Sequence, residues 1–426
     1  MNVFQHRFKT AIIAAVAALA ALLATVSAGE AANNKGMATI PLTLINKSGH
    51  RGKMFVMVYG QLGSTWYVVT NKKGDVAALP DSNTYRPYGL NVGRKKKLTI
   101  RVPELMHSRV YVSFGKKLQL ISPGGAPTPT SGWSKLDQNN DTNPNFYTLF
   151  DWFEYSWGPQ PAPVPPLLPA NATYINGNQT QVDMFGIPML FTFVGVDANN
   201  KVSVLKGGFS SAKARKNIFT ALRRAGAPWH SLVVDPHRGI PLRAISPYNG
   251  ISMGTFPSNQ LDSYIDQVWA KYTGATAAKT LIANTTGPTQ NFTGQVSGTS
   301  LVFTRSTGGT ATFSKPTTMQ AYQAWAPTVS DPGDGDLVTG AGEIETYVQA
   351  ALLRSTMLVN NDIGTCPSKT PYYRYAPVDQ YSKIIHQYAY KHLAYGFGYD
   401  DHCNQGSDQQ VFQPRKVILR IQALNK

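Results

Sequence analysis

From Ala38 to about Leu120 the chain alternates apolar and polar residues: IPLTLIN, KMFVMVYG, TWYVVT, KKLTIRVP and RVYVSFG are rich in Val, Tyr, Phe and Thr, with Gly, Asn, Asp and Pro between them. A period of two is that of a strand with one buried face. Strands this short and this frequent predict a sandwich or barrel. Two breaks follow, SPGGAPTPTSGW and PQPAPVPPLLPA. Proline fixes φ and removes a backbone donor, so neither break can be a helix interior or a central strand. Between them stands DWFEYSWGPQ, where Glu154 lies among Trp152, Phe153, Tyr155 and Trp157.

Beyond Val196 the repeat lengthens. SSAKARKNIFTALRRAG has a helix-forming composition and stops at Gly226, before Pro228. In SNQLDSYIDQVWAKYTG the residues Leu261, Tyr264, Ile265, Val268, Trp269 and Tyr272 share one helical face, which predicts core packing, with Ser258 as the N-cap. Strands rich in Thr, Gly and Ser are expected over about 285–318, and a further helix from about Gly342 through IETYVQAALLRS. YSKIIHQYAYKHLAYGFGYDDHC begins as a helix and ends in Asp400-Asp401, and KVILRIQAL closes the chain as a strand. These shifts predict a mainly β, α+β protein: a β domain over 37–195 and 365–426, and a mixed α/β domain over 196–364.

Composition changes this picture at three points. His6, Arg7 and Lys9 precede an Ala/Leu/Ile/Val run that reaches about Val26, and Val26-Ser27-Ala28 offers small residues to a signal peptidase. Residues 1–28 therefore read as a secretory signal peptide, and no later stretch is apolar enough to span a bilayer, so an exported, soluble monomer is expected. Cys366 and Cys403, the two cysteines, are expected to bridge in an oxidising compartment; a zinc site needs four ligands at short spacings, so no metal or other cofactor is expected. The net charge of +17 favours adhesion to anionic surfaces. The run Gly93-Arg94-Lys95-Lys96-Lys97 has no aromatic interleaving, however, and reads as a solvated hairpin turn, so no nucleic-acid partner is expected.

The candidate chemistry lies in the carboxylates. Hydrolysis of a glycosidic bond needs two of them across the scissile bond, one protonated to donate to the leaving oxygen and one ionised. An aromatic pocket disfavours a charged carboxyl, which makes Glu154 the natural acid. Asp183, in TQVDMFGIPM, precedes Gly186 and Pro188, which suit a bend at a cleft edge, and is the natural base. Asp151 and Asp400-Asp401 also have informative surroundings, and composition alone does not single out one pair among 23 acidic residues. Nucleophile motifs are absent: there is no G-x-S-x-G elbow and no phosphate-cradling glycine loop. His230 and His237 flank Asp235 without a third ligand nearby, and read as exposed residues of a strand that ends in a turn.

In order and spacing, FEYSW, TQVDMFGIPM and YAYKHLAYGFGYDDHC resemble the motifs of thaumatin-like proteins. Those proteins are densely disulfide-bonded, whereas this chain has two cysteines and a large α/β insertion. It resembles more fully the bacterial β-1,3-glucanases of glycoside hydrolase family 64, the laminaripentaose-producing type, to whose helical segments SNQLDSYIDQVWAKYT and AALLRSTML are similar. The resemblance runs from about Ile40 to the C-terminus. It implies a thaumatin-like β-barrel with a mixed α/β domain, a wide groove between them and β-1,3-glucan as the partner. It also implies Glu154 as general acid and Asp183 as general base of an inverting reaction, which needs carboxyls roughly 6.5–9.5 Å apart to admit the water. Ser156, Trp157 and Asp401 are the implied substrate-binding residues. Thaumatin-like proteins often carry an arginine where Ser113 falls here, and the Pro-rich connection after Glu154 is longer than the family's. A non-catalytic glucan-binding, antifungal-type protein is the alternative reading, and a basic surface adhesin the third.

Overall fold

Alternation at period two becomes a twelve-stranded sheet. The computed structural model describes residues 37–122, 127, 143–235, 241–274, 276–287, 289–323, 325–366 and 372–424; the expected signal peptide over 1–28, His237 and most of SPGGAPTPTSGW lie outside them. Contacts group the chain into two compact units, Gly29–Phe256 with Ile384–Gly396 and Gln405–Lys426, and Pro257–Lys383 with Phe397–Asn404.

The larger unit is built on β1 (Thr39–Asn46), β2 (Met54–Leu62), β3 (Lys97–Pro103), β4 (Met106–Phe114), β5 (Leu149–Pro159), β6 (Thr173–Asn178), β7 (Met189–Val196), β8 (Val202–Gly208) and β9 (Gln409–Ile421). The order is β8-β7-β9-β6-β5-β4-β2, continued by the shorter strands Thr65–Val69 and Val76–Ala78. At 13 residues β9 is long enough to serve two neighbours on one side. Its first residues pair with β6, and Val417–Ile421 pair in parallel with β1, which pairs in turn with β3. The sheet therefore divides at β9 into two leaves. Their inner faces share one core, with Leu42, Leu44, Ile100 and Val102 from one leaf and Val56, Val58, Val110, Val112, Phe153, Tyr155 and Trp157 from the other. Each such side chain contributes about 1.5–3 kcal/mol by leaving water. Along β5 the same alternation turns Trp152, Glu154 and Ser156 to the opposite face.

The stretch 196–256, expected in the α/β domain, clusters instead with the larger unit. The change of period at Val196 marks where helices begin, but the contacts do not change there. β8 is the hairpin partner of β7, Arg215 of α1 (Ala214–Arg224) bonds the Gly186 carbonyl, and Arg243–Ile245 pairs with Met184–Phe185. The run Arg94–Lys97 is an exposed turn, as expected, but not a hairpin, because Leu90–Gly93 pairs with β2 while β3 pairs with β1.

In the smaller unit five antiparallel strands, Leu281–Thr286, Thr289–Ser297, Ser300–Arg305, Thr310–Ser314 and Thr328–Val329, accompany α2 (Asp262–Lys271) and α3 (Gly335–Leu353). The stripe from Leu261 to Tyr272 is buried as expected. Ser258 is not its cap: the helix begins after Leu261, whose N–H donates to Thr318 Oγ1 at 2.8 Å. α3 starts earlier than Gly342, because Asp334 caps it by accepting the Leu337 N–H at 2.9 Å. Cys366 and Cys403 form the expected disulfide, with Cα atoms 5.3 Å apart. No helix among the described residues is long and apolar enough to cross a membrane.

Candidate active site

Strand register places Glu154 in a cross-strand row. Tyr59 of β2 faces Arg109 of β4, Arg109 faces Glu154, and Glu154 faces Asn178 of β6. Arg109 Nε donates to Glu154 Oε1 at 2.8 Å, and Trp152 Nε1 donates to the same oxygen at 3.1 Å. The guanidinium lies 5.5 Å from the Trp152 ring centre, and its Nη1 reaches the Tyr111 hydroxyl at 3.3 Å. Trp152 and Tyr111 are fully buried, so Arg109 rests on an aromatic floor. Both donors meet the same oxygen, Oε1. The rings of DWFEYSW thus divide: Trp152 touches the carboxylate, whereas Phe153, Tyr155 and Trp157 belong to the core on the other face.

Asp183 arrives from a bend held on both sides. Asp151, fully buried on β5, accepts the N–H of Trp152 through Oδ1 at 2.7 Å, and those of Gly186 and Ile187 through Oδ2 at 2.8 and 2.9 Å. Burial pushes the Asp151 carboxyl up to about 7, against the pull of those three bonds. The approach requires glycine at position 186, since a Cβ there would lie 2.7 Å from the Phe150 carbonyl oxygen. Arg215 Nε donates to the Gly186 carbonyl at 2.7 Å. On the other side the Asp183 carbonyl accepts from the Ser246 N–H and from Asn249 Nδ2, each at 2.9 Å.

The half-buried Asp183 carboxyl is held above its ordinary range, chiefly by burial. The Arg109 charge opposes the rise, the Glu154 charge adds to it, and a hydrogen bond with Asn249 opposes it. Although 29 positions apart in sequence, Glu154 and Asp183 are close enough in the fold for the Glu154 and Arg109 charges to bear on the Asp183 carboxyl.

A third carboxylate joins them. Asp408, at the entry to β9, accepts from Asn178 Nδ2 at 2.9 Å and from the Tyr395 hydroxyl. Burial raises its carboxyl, the Tyr395 and Asn178 bonds lower it, and the Glu154 charge raises it. Neither Arg109 nor Asp408 was expected from sequence. Arg109 faces Glu154 once β4 and β5 are paired, and it stands four positions before Ser113, where thaumatin-like proteins often carry an arginine.

Of the remaining expected residues, Ser156 shares the Glu154 face and its Oγ accepts the His107 N–H at 3.1 Å. Trp157 is not a sugar platform: it is 4% exposed and packed in the core, because it is one residue out of phase with Glu154 and Ser156. Asp401 is exposed on the smaller unit, and its neighbour Asp400 is buried in an ion pair with Arg354 at 2.9 Å. The ligand atoms of Cys366, His402 and Cys403 lie within 4.8 Å of one another, but the disulfide uses both sulfurs. His230 is exposed, and Asp235 pairs with Arg223 at 2.9 Å.

Residues 38–419 match the sequence profile of the β-1,3-glucanase family Glyco_hydro_64. Glucan endo-1,3-β-glucosidases of Arthrobacter sp. (strain YCWD3) and of Cellulosimicrobium cellulans are each 32% identical over 416 residues, covering 93% of this chain and 67% of theirs. The crystal structure of a laminaripentaose-producing β-1,3-glucanase in complex with laminaritetraose superposes with a TM-score of 0.74 at 27% identity, over 91% of this chain and 99% of that one. With its sequence profile and its fold in agreement, the chain belongs to glycoside hydrolase family 64, the β-1,3-glucanases.

Proposed function

We propose that this chain is an exported, endo-acting β-1,3-glucanase in which Glu154 and Asp183 hydrolyse the glucosidic bond with inversion. Family membership carries the activity and the glucan substrate. The observation that carries the site is geometric: Asp151 on the strand of Glu154 holds the Gly186 N–H beside Asp183 at 2.8 Å, and Arg109 pairs with Glu154 at 2.8 Å. In this reading Asp183 takes a proton from water, and the water oxygen attacks the anomeric carbon from the face opposite the leaving group. The bond to the leaving O3 breaks as Glu154 delivers its proton there. Asp183 ends protonated and Glu154 ionised, and solvent exchange restores the pair. Arg109 gathers the negative charge that shifts to Glu154 during the step. The larger unit is read as the thaumatin-like barrel that the motifs suggested, and the apolar run before Gly29 supports export.

Exchanged roles form a second reading. It is favoured by the Arg109 ion pair on Glu154 and by the raised Asp183 carboxyl, which would make Asp183 the proton donor. A reducing-sugar assay on laminarin and curdlan tests activity at this site under either reading. Wild type should release product, and Glu154→Gln and Asp183→Asn should each lose roughly a hundredfold or more in kcat. Binding of glucan without product by wild type would establish the non-catalytic alternative instead.

A further inference from the structure

Five strands of the larger unit, β3-β1-β9-β7-β8, turn a second face outward, away from the core, and it holds none of the candidate catalytic residues. Register aligns its side chains in rows. Lys97, Ile45, Arg420 and Leu190 form one; Thr99, Thr43, Ile418, Thr192 and Lys206 form the next; Lys416, Val194 and Val204 form a third. Between them lies a trough of about 470 Å³, floored by Ile45, Leu190, Val194 and Ile418 and rimmed by Lys206, Lys416 and Arg420. At its edge Val202 and Val204 are 68% and 54% exposed.

None of these five strands contains an Asp or Glu, so the cations of the face have no carboxylate among their cross-strand neighbours. A solvated sheet face ordinarily interleaves both signs, which keeps it soluble and limits self-repulsion. A neutral glucan can accept hydrogen bonds from these cations but brings no charge to balance them. A soluble polyanion would satisfy the cations but leave two valines in water. A bilayer with anionic headgroups satisfies both, since phosphates meet the cations and the interfacial region takes up the apolar edge.

We propose that the outer face of β3-β1-β9-β7-β8 docks on an anionic lipid surface. The proposal is independent of the roles given to Glu154 and Asp183. The test is co-sedimentation of the full chain with vesicles of equal parts phosphatidylglycerol and phosphatidylcholine, against phosphatidylcholine alone. Binding is expected to the anionic vesicles only and to weaken with salt. The triple variant K206E, K416E, R420E should lose roughly a hundredfold in partitioning, with circular dichroism and laminarin hydrolysis unchanged. Val202→Ser with Val204→Ser should also weaken binding. Absence of binding to anionic vesicles, or equal binding by the triple variant, would overturn the proposal. So would a serine pair that binds as wild type does, since the face would then be a site for soluble polyanions such as polyphosphate.

Discussion

Asp151 Oδ2 accepts the backbone N–H of Gly186 at 2.8 Å, and this bond ties the strand that carries Glu154 to the bend that carries Asp183. Asp151 stands three residues before Glu154, and Gly186 three after Asp183. Through this bond the buried Asp151 holds the two segments together.

Asp151→Asn should lower kcat by roughly tenfold to a hundredfold with little change in KM, because an amide has one acceptor oxygen, so its NH2 must face at least one of the three N–H groups that Asp151 accepts, and the bend shifts. Its pH dependence of stability should change as well. The carboxyl binds its proton more tightly folded (about 7) than at its ordinary 3.8, so this group's contribution is most favourable below about 4 and declines as pH rises to about 7. Urea midpoints measured across that window should fall more steeply for wild type than for the variant. Parallel curves, or a variant of undiminished kcat, would contradict the positioning role.

Arg109→Leu should move the acid limb of the kcat/KM profile to higher pH. Arg109 opposes the rise of the Asp183 carboxyl, so its loss raises that group further, and a base acts only above its own pKa. A limb that stays in place or moves to lower pH would show that Asp183 is not the base that limits the rate.

Trp157→Ala should cost about 3–5 kcal/mol of stability, as for other buried aromatics, while Trp157→Phe retains most of it and leaves KM for laminarin unchanged. Thermal unfolding together with initial rates checks this. A raised KM in a stable Phe variant would place the ring against sugar after all.

Azide and activated leaving groups separate the two assignments of acid and base. If Asp183 is the base, Asp183→Gly should be rescued by azide with formation of an α-glycosyl azide, whereas Glu154→Gly should recover on aryl glucosides with good leaving groups. The opposite pattern would establish the exchanged roles.

What could be read from sequence follows from physics that acts locally. The period-two runs became strands, and the Leu261–Tyr272 stripe became a buried face. Trp157 was misassigned because composition shows that rings surround Glu154 but not which of them share its face; the phase along β5 decides that, and it turns Trp157 inward. Arg109 and Asp408 were missed because their meaning depends on strand pairing between segments far apart in sequence, β4 with β5 and β9 with β6. The contribution of 196–256 to the larger unit was hidden for the same reason, since Arg215 and Arg243–Ile245 act on Gly186 and Met184–Phe185 across a long stretch of chain.

The pairing of Glu154 with Asp183 in a single-displacement hydrolysis is tested most directly by the anomeric configuration of the first product. Proton NMR of laminarin hydrolysis, recorded before mutarotation, should show the α-anomer at the new reducing end appearing first. Initial appearance of the β-anomer would mean retention, a covalent intermediate and a different use of these two carboxylates.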